Sequence, residues 1–172
     1  MGFMAVEQQE ATRFTPGPET ARLMREALGR FVTGVTVVTA PTPQGPIGIT
    51  ANSFTSVSLD PALVLWCPAR ASRRFAHFDG AEHFAIHVLG ADQLDLARQF
   101  AAGAGGFEAD QHSPEGIPLL PGTLARFDCA LHAAHDGGDH SIVVGRVLRA
   151  ELRAGAPLVF SGGDYGQFSS GL

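Results

Sequence analysis

The chain contains no lysine; all twelve of its basic residues are Arg. That absence removes Schiff-base chemistry, the phosphate-cradling lysine of a P-loop and Ser-Lys hydrolysis, each of which needs an amine at the reacting centre. Charge is sparse as well. Charged residues make up 17% of the 172 positions with a formal balance of −5, and the Arg residues are scattered, so no basic stripe points to a nucleic-acid partner. Long apolar runs are missing too, so no membrane span is predicted, while 45% hydrophobic residues place the chain among globular, not disordered, proteins. Cys67 and Cys129 form no C-x-x-C pair and read as buried, reduced thiols. No charged-then-apolar leader occupies residues 1–15, so a reducing cytoplasm is expected.

The length suits one domain with a full core. Residues 1–18 lack periodicity and end in Thr15-Pro16-Gly17-Pro18, which reads as a flexible arm ahead of a single domain over 19–172. Ala21, Leu23, Met24, Ala27, Leu28 and Phe31 recur at helical spacing between Arg22, Arg25, Glu26 and Arg30, predicting an amphipathic helix stopped by Gly34. A hairpin follows, from Val35–Thr39 to Ile47–Ala51 across the turn residues Pro41–Gly45. Leu63–Cys67 is apolar throughout and is expected at the centre of a sheet. Ser72 is placed as N-cap of a helix over 73–78, Phe84–Leu89 as a strand, and Asp92 as cap of a helix stopped by Gly103-Ala104-Gly105-Gly106. The rest is strand-rich: Leu124–His132, Ser141–Leu152 and Leu158–Phe160. Consecutive strands late in the chain, with helices only between earlier ones, predict a mainly β fold with helices, a barrel or strongly curved sheet.

Several segments carry candidate chemistry, each with a plainer reading beside it. Gly138-Asp139-His140 sets an imidazole at the mouth of an apolar strand, or is simply a turn. Thr50, Asn52, Ser53, Ser56 and Ser58 alternate donors and acceptors along a bend, as a ligand with many hydrogen-bonding edges or a solvated turn would require. Ser72 with Arg73 and Arg74 suits a phosphate or an ordinary capped surface helix. His83 and His87 lie about 13 Å apart on an extended chain, too far to share one ion, whereas a metal at His132, His135, Asp139 and His140 needs a convergence that sequence proximity alone does not supply. A Ser53-His140-Asp139 hydrolase lacks a G-x-S-x-G elbow, and neighbouring Asp and His in a strand point to opposite faces. The glycines around Gly103 follow a helix, where a dinucleotide fingerprint must follow a strand.

Taken in order, Phe31-Val32-Thr33-Gly34-Val35-Thr36-Val37-Val38-Thr39, Gly48-Ile49-Thr50-Ala51-Asn52-Ser53-Phe54, Ser56-Val57-Ser58-Leu59-Asp60-Pro61, and Gly138-Asp139-His140 with Gly145 resemble the short-chain flavin reductase family. These are the reductase components of two-component flavin-dependent monooxygenases. The resemblance implies an FMN-binding split β-barrel that forms a homodimer, binds FMN or FAD, takes hydride from NAD(P)H and supplies reduced flavin to a separate monooxygenase. It implies a flavin site at Thr50, Ala51, Asn52 and Ser53 with Ser56, Val57 and Ser58, and a phosphate site from Cys67 to Ser72 helped by Arg73. Aromatic contacts are implied at Phe100 and Tyr165, and a nicotinamide-side histidine at His140. Many relatives carry basic residues around the final aromatic. Here Gly163-Asp164-Tyr165-Gly166 is neutral to acidic, which favours NADH over NADPH.

Because the flavin carries the redox chemistry, positioning is the main task of the protein. His140 is left with three roles: bonding the nicotinamide amide, balancing the charge of reduced flavin, or relaying a proton. Two rival readings stand beside the reductase: a flavin-binding carrier or sensor without efficient turnover, and a metal-dependent enzyme built on the His132–His140 cluster.

Overall fold

Val35 to Ala40 is buried at every position, which identifies a strand packed on both faces. Its alternate side chains feed two different cores. A computed structural model describes residues 11–103, 107 and 111–170, so residues 1–10 of the arm and Ala104, Gly105 and Gly106 of the glycine stop lie outside the described residues. The described elements run α1 (Ala21–Gly29), β1 (Thr33–Gly34), β2 (Thr36–Thr42), β3 (Gly45–Ala51), β4 (Thr55–Leu59), β5 (Ala62–Trp66), α2 (Phe75–Asp79) and β6 (His83–Val88). They continue with α3 (Leu94–Ala102), β7 (Ala125–Gly137), β8 (His140–Leu152), β9 (Leu158–Ser161) and β10 (Asp164–Gln167).

Seven strands form one sheet in the order β3-β2-β6-β7-β8-β5-β4, and β1, β9 and β10 form a second. All their pairings are antiparallel. β3 and β5 stand far apart in the larger sheet, yet Ile47 and Val64 belong to one core with Val38, Trp66, Phe78, Phe84, Ile86, Cys129 and Val143. The sheet therefore curls around that core without closing its edges by hydrogen bonds, which is a split β-barrel. The Trp66–Phe78 pair inside it is edge-to-face at 5.2 Å, a contact worth about 1 kcal/mol beyond its buried area. Val35 and Val37 point the other way, into a second core with Leu89, Ala97, Phe100, Leu120 and Leu158. α3 is thereby packed over one face of β2 and β3. No helix among the described residues is long and apolar enough to cross a membrane.

Several expectations from sequence are corrected. Leu63–Cys67 is not central: β5 stops at Trp66 and lies next to the edge strand β4. The Ser56–Ser58 bend is that edge strand, with a register break between Ser56 and Ser58. The first helix ends at Gly29, short of Phe31 and Gly34, because Gly162 N–H binds the Gly29 carbonyl and the β9–β10 turn closes over the helix end. α2 begins at Phe75, so Ser72 is not its N-cap. Asp92 does not cap α3 either; the Gln93 side chain accepts from Gly90 N–H at 3.1 Å instead.

Candidate functional site

Antiparallel pairing places the end of β3 beside the start of β2, and β1 pairs Thr33 with Phe160 of β9. These two junctions bound a cleft of about 160 Å³ lined by Val35, Thr50, Ala51, Asn52, Ala101, Phe160 and Tyr165. Its walls are mostly apolar and its few polar groups converge, the usual character of a small-molecule site. Tyr165 meets Phe160 edge-on at 5.2 Å. The Thr50 hydroxyl donates to the Ala97 carbonyl at 2.6 Å, tying β3 to α3, whereas Asn52 is exposed at the rim. The Thr33 hydroxyl, on the strand paired with Phe160, is buried without a hydrogen-bond partner among the described residues.

Two further grooves adjoin this cleft through shared residues. Ala101 also lines a groove with Ala71, Ser72, Arg73, Arg74, Ala102 and Gly103. Phe160 also lines a groove with Arg22, Arg25, Glu26, Gly29, Arg30 and the Ser161–Gly163 turn. In the first, Arg73 is exposed while Arg74 turns inward. Arg74 Nη1 donates to the carbonyls of Gly48, Phe100 and Gly103, and Nη2 to that of Ala101. A cation is thus held against the carbonyl end of α3, where unpaired acceptors collect. Its pKa is lowered by burial and then by the neighbouring Arg73. Ser72 accepts from Arg74 N–H at 3.2 Å, which fixes the turn ahead of α2.

Ser53, just beyond β3, ties that segment to the loop after β5. Cys67 N–H donates to Ser53 Oγ at 2.9 Å, and that hydroxyl lies 3.3 Å from the Cys67 carbonyl. The loop then runs beside the β7–β8 hairpin: Ala69 bridges His140, and Ser141 N–H donates to the Pro68 carbonyl at 3.1 Å. Arg70 clamps the hairpin tip, donating to the Gly138 carbonyl at 3.1 Å and to Asp136 at 2.9 Å. Burial raises the Cys67 thiol pKa, which disfavours the nucleophilic thiolate there. His140 is partly exposed, and its Nδ1 lies 2.7 Å from Asp139 Oδ1. The expected splitting of Asp139 and His140 to opposite faces is therefore corrected: Asp139 sits in the turn and only His140 belongs to β8.

The structure brings Thr50, Ala51, Asn52 and Tyr165 into one cleft, sets Ser72 and Arg73 beside it, and links Ser53 and Cys67 to the His140 hairpin. It does not bring Ser56, Val57, Ser58 or His140 into the cleft lining. Phe100 does not line the cleft. Its side chain is fully buried, packed against Gly48 and edge-on to Phe107 at 5.2 Å, and presents no surface to a ligand. The neighbouring Ala101 reaches the cleft in its place.

The flavin reductase like domain model matches residues 28–169. The chain belongs to that family. It is 57% identical over 167 residues to the FMN reductase (NADH) SmoA of Agrobacterium fabrum, with 96% of each chain covered. It is 39% identical over 152 residues to the flavin-dependent monooxygenase reductase subunit HsaB of Rhodococcus jostii, covering 84% of this chain and 76% of HsaB. Among solved structures it is similar to the NADH:FAD oxidoreductase SgcE6 of Streptomyces globisporus, at 38% identity and a TM-score of 0.83, covering 94% of this chain and 100% of that one. SgcE6 has also been solved in complex with NAD and FAD fragments.

Within this flavin reductase fold, sequence reading missed Arg70, Phe160 and Ala101 as builders of the site, and took Arg74 for a phosphate partner where it binds backbone carbonyls. The paired Arg73-Arg74 was a usable signal, but which of the two turns inward depends on the distant carbonyls of Gly48 and Phe100. Phe160 was legible only as part of a short apolar strand.

Proposed function

We propose that this chain is an NAD(P)H:flavin oxidoreductase that uses NADH in preference to NADPH, reduces FMN or FAD, and passes the reduced flavin to a separate monooxygenase. The observation that carries this reading is the cleft itself, an apolar slot with polar groups at Thr50, Asn52 and Tyr165, joined at Ala101 to a groove holding Ser72 and Arg73. A planar ring system with a hydrogen-bonding edge and a phosphorylated tail matches that arrangement. The orphaned Thr33 hydroxyl beside Phe160 is a further sign that the region is completed by something else.

A bound flavin supplies the two-electron chemistry. The chain's own residues position and shield. Val35, Ala51, Ala101 and Phe160 exclude water from the ring, Asn52 and the β3 backbone meet its polar edge, and Ser72 with Arg73 hold the phosphate. Ser53 acts indirectly, by fixing Cys67 and the loop that carries Ser72. His140, held by Asp139 and bridged to Ala69 of that loop, takes the nicotinamide side in this reading. The names of SmoA and SgcE6 specify NADH and that of HsaB a monooxygenase reductase subunit, which supports the donor and the partner. A homodimer is supported by the exposed apolar residues Met24, Leu28 and Phe31 along α1 and just beyond it, since an uncovered stripe of that kind marks an interface. The lack of any disulfide between Cys67 and Cys129 accords with a cytoplasmic protein.

Purified protein mixed with NADH and then NADPH, with and without FMN or FAD, tests the reading by absorbance at the nicotinamide and flavin bands. Rapid NADH loss that requires flavin is expected. A bound yellow chromophore without nicotinamide consumption would instead identify a flavin carrier or sensor.

A further inference from the structure

The far end of the β7–β8 hairpin stands clear of its neighbours. The β6–β7 ladder ends at the His83–Ala130 pair and the β5–β8 ladder at Trp66–Val143. Residues 132–142 therefore extend past both flanking strands, with Gly137 and Gly138 at the turn. An overhang of this kind samples several positions unless it is tied down. His140 sits on it, and a group that meets the nicotinamide needs one position.

The tie comes from the loop after β5. Ser141 N–H donates to the Pro68 carbonyl at 3.1 Å and Ala69 bridges His140, and Arg70 then adds three bonds. Its backbone N–H donates to the Asp139 carbonyl at 2.9 Å, its Nε to the Gly138 carbonyl at 3.1 Å and its Nη2 to Asp136 Oδ1 at 2.9 Å. The guanidinium carbon lies 5.5 Å from the centroid of the Phe75 ring, so an aromatic face at the start of α2 restrains it as well. The two side-chain bonds use the planar donor fork of the guanidinium, which an ammonium does not reproduce.

These bonds fall on the residues that set His140. Arg70 holds the carbonyls of Gly138 and Asp139, and Asp139 Oδ1 in turn accepts from His140 Nδ1 at 2.7 Å. Stability does not account for the arrangement. The Arg70 side chain is 41% exposed and that of Asp136 82%, and ion pairs so exposed contribute little to folding.

We infer that Arg70 is a positioning residue, which fixes the β7–β8 tip so that His140 meets the nicotinamide from one place. This rests on the reading of His140 as the group on the nicotinamide side. Because Cys67 N–H, at the start of the same loop, donates to Ser53 Oγ, the clamp also sets His140 relative to the Thr50–Asn52 wall of the cleft.

Two measurements test it. In 15N-labelled protein without flavin, amide exchange at Ser141 reports whether loop and tip stay joined. Arg70→Ala should speed that exchange at least about fivefold, while exchange in β6 and the melting temperature stay those of the parent. Single-turnover mixing of NADH with FMN-loaded protein then follows hydride transfer. Arg70→Ala should slow it at least about fivefold with FMN affinity changed much less, and should slow it by less than about twofold further in a His140→Ala background. Arg70→Lys, which keeps the charge and loses the fork, should be slowed nearly as much as Arg70→Ala. Asp136→Ala, which cuts one prong from the exposed side, should give a smaller slowing of the same kind. Unchanged exchange at Ser141, a parent rate in Arg70→Ala or Arg70→Lys, or equal slowing by Arg70→Ala with and without His140 overturns the inference and leaves flavin-dependent NADH consumption standing. A His140→Ala protein that transfers hydride at the parent rate removes the reading of His140, and the role of Arg70 with it.

Discussion

Asp139 Oδ1 accepts a hydrogen bond from His140 Nδ1 at 2.7 Å, although the two residues are neighbours in sequence. Gly138, at φ 75°, turns the chain through a conformation that side chains disfavour, leaving Asp139 in the turn and His140 at the first position of β8. The carboxylate fixes the proton on Nδ1 and leaves Nε2 as the nitrogen for ligand contact. The hydrogen bond from His140, and then its charge, hold the Asp139 carboxyl below the usual range. The contact is therefore intact above that lowered pKa and lost as pH falls through it. Single-turnover mixing should show hydride transfer slowed at least about tenfold in His140→Ala, with flavin affinity changed much less and Asp139→Asn intermediate. Equal rates in His140→Ala and parent would remove His140 from the mechanism.

The outward stripe of α1 sets a second expectation. Leu28 is 61% exposed and Phe31 77% exposed, and covering them removes apolar surface worth about 25 cal/mol per Å² from water. Light scattering on eluting protein should give a dimer for the parent and a monomer for Leu28→Glu with Phe31→Glu, since two buried charges per protomer oppose association. A parent that elutes as a monomer contradicts the dimer.

His87 makes the fold acid-sensitive. Its Nδ1 donates to the Val37 carbonyl and its Nε2 accepts from Leu120 N–H, both at 3.1 Å, which holds the loop before β7 against the sheet. Burial pushes its pKa down from 6.5 to about 3, further lowered by the charge of Arg126 and opposed by the bond to Val37. The unfolded chain binds this proton below its own pKa and the native state does not, so stability is lost as pH falls from 6.5 towards about 3. The slope approaches about 1.4 kcal/mol per pH unit. Urea unfolding between about pH 7 and about pH 5 should show a shallower loss in His87→Gln than in the parent; parallel curves would contradict this.

Gly145 lies where a Cβ would fall 2.6 Å from the Phe84 ring and 3.0 Å from Cys129 Cβ. The Phe84 ring and Cys129 are both buried in the barrel core, so neither can yield freely. Gly145→Ala should lower unfolding free energy by about 1–3 kcal/mol in chemical denaturation, and an unchanged midpoint would show that the core adjusts.

The elements legible in sequence were those whose periodicity survives folding. The β2–β3 hairpin, β6 and the long β7 and β8 showed β-branched or apolar runs that burial then explained. β4 was hidden because Thr55, Ser56 and Ser58 sit on an edge strand with no buried face to impose alternation. β10 has one half-buried side chain, Tyr165, in four residues. The cleft residues Thr50–Asn52 stood out by their hydroxyl and amide, whereas the burial of Phe100 depends on Gly48, from another strand. The Asp139–His140 contact depends on the backbone angle of Gly138, which composition does not encode.

The central claim is that the slot between Thr50–Asn52 and Phe160–Tyr165 holds a flavin ring. Crystals grown with FMN test it most directly. The account predicts ring density in that slot with the phosphate beside Ser72 and Arg73; FMN bound elsewhere, or the slot filled by side chains of the protein, would contradict it.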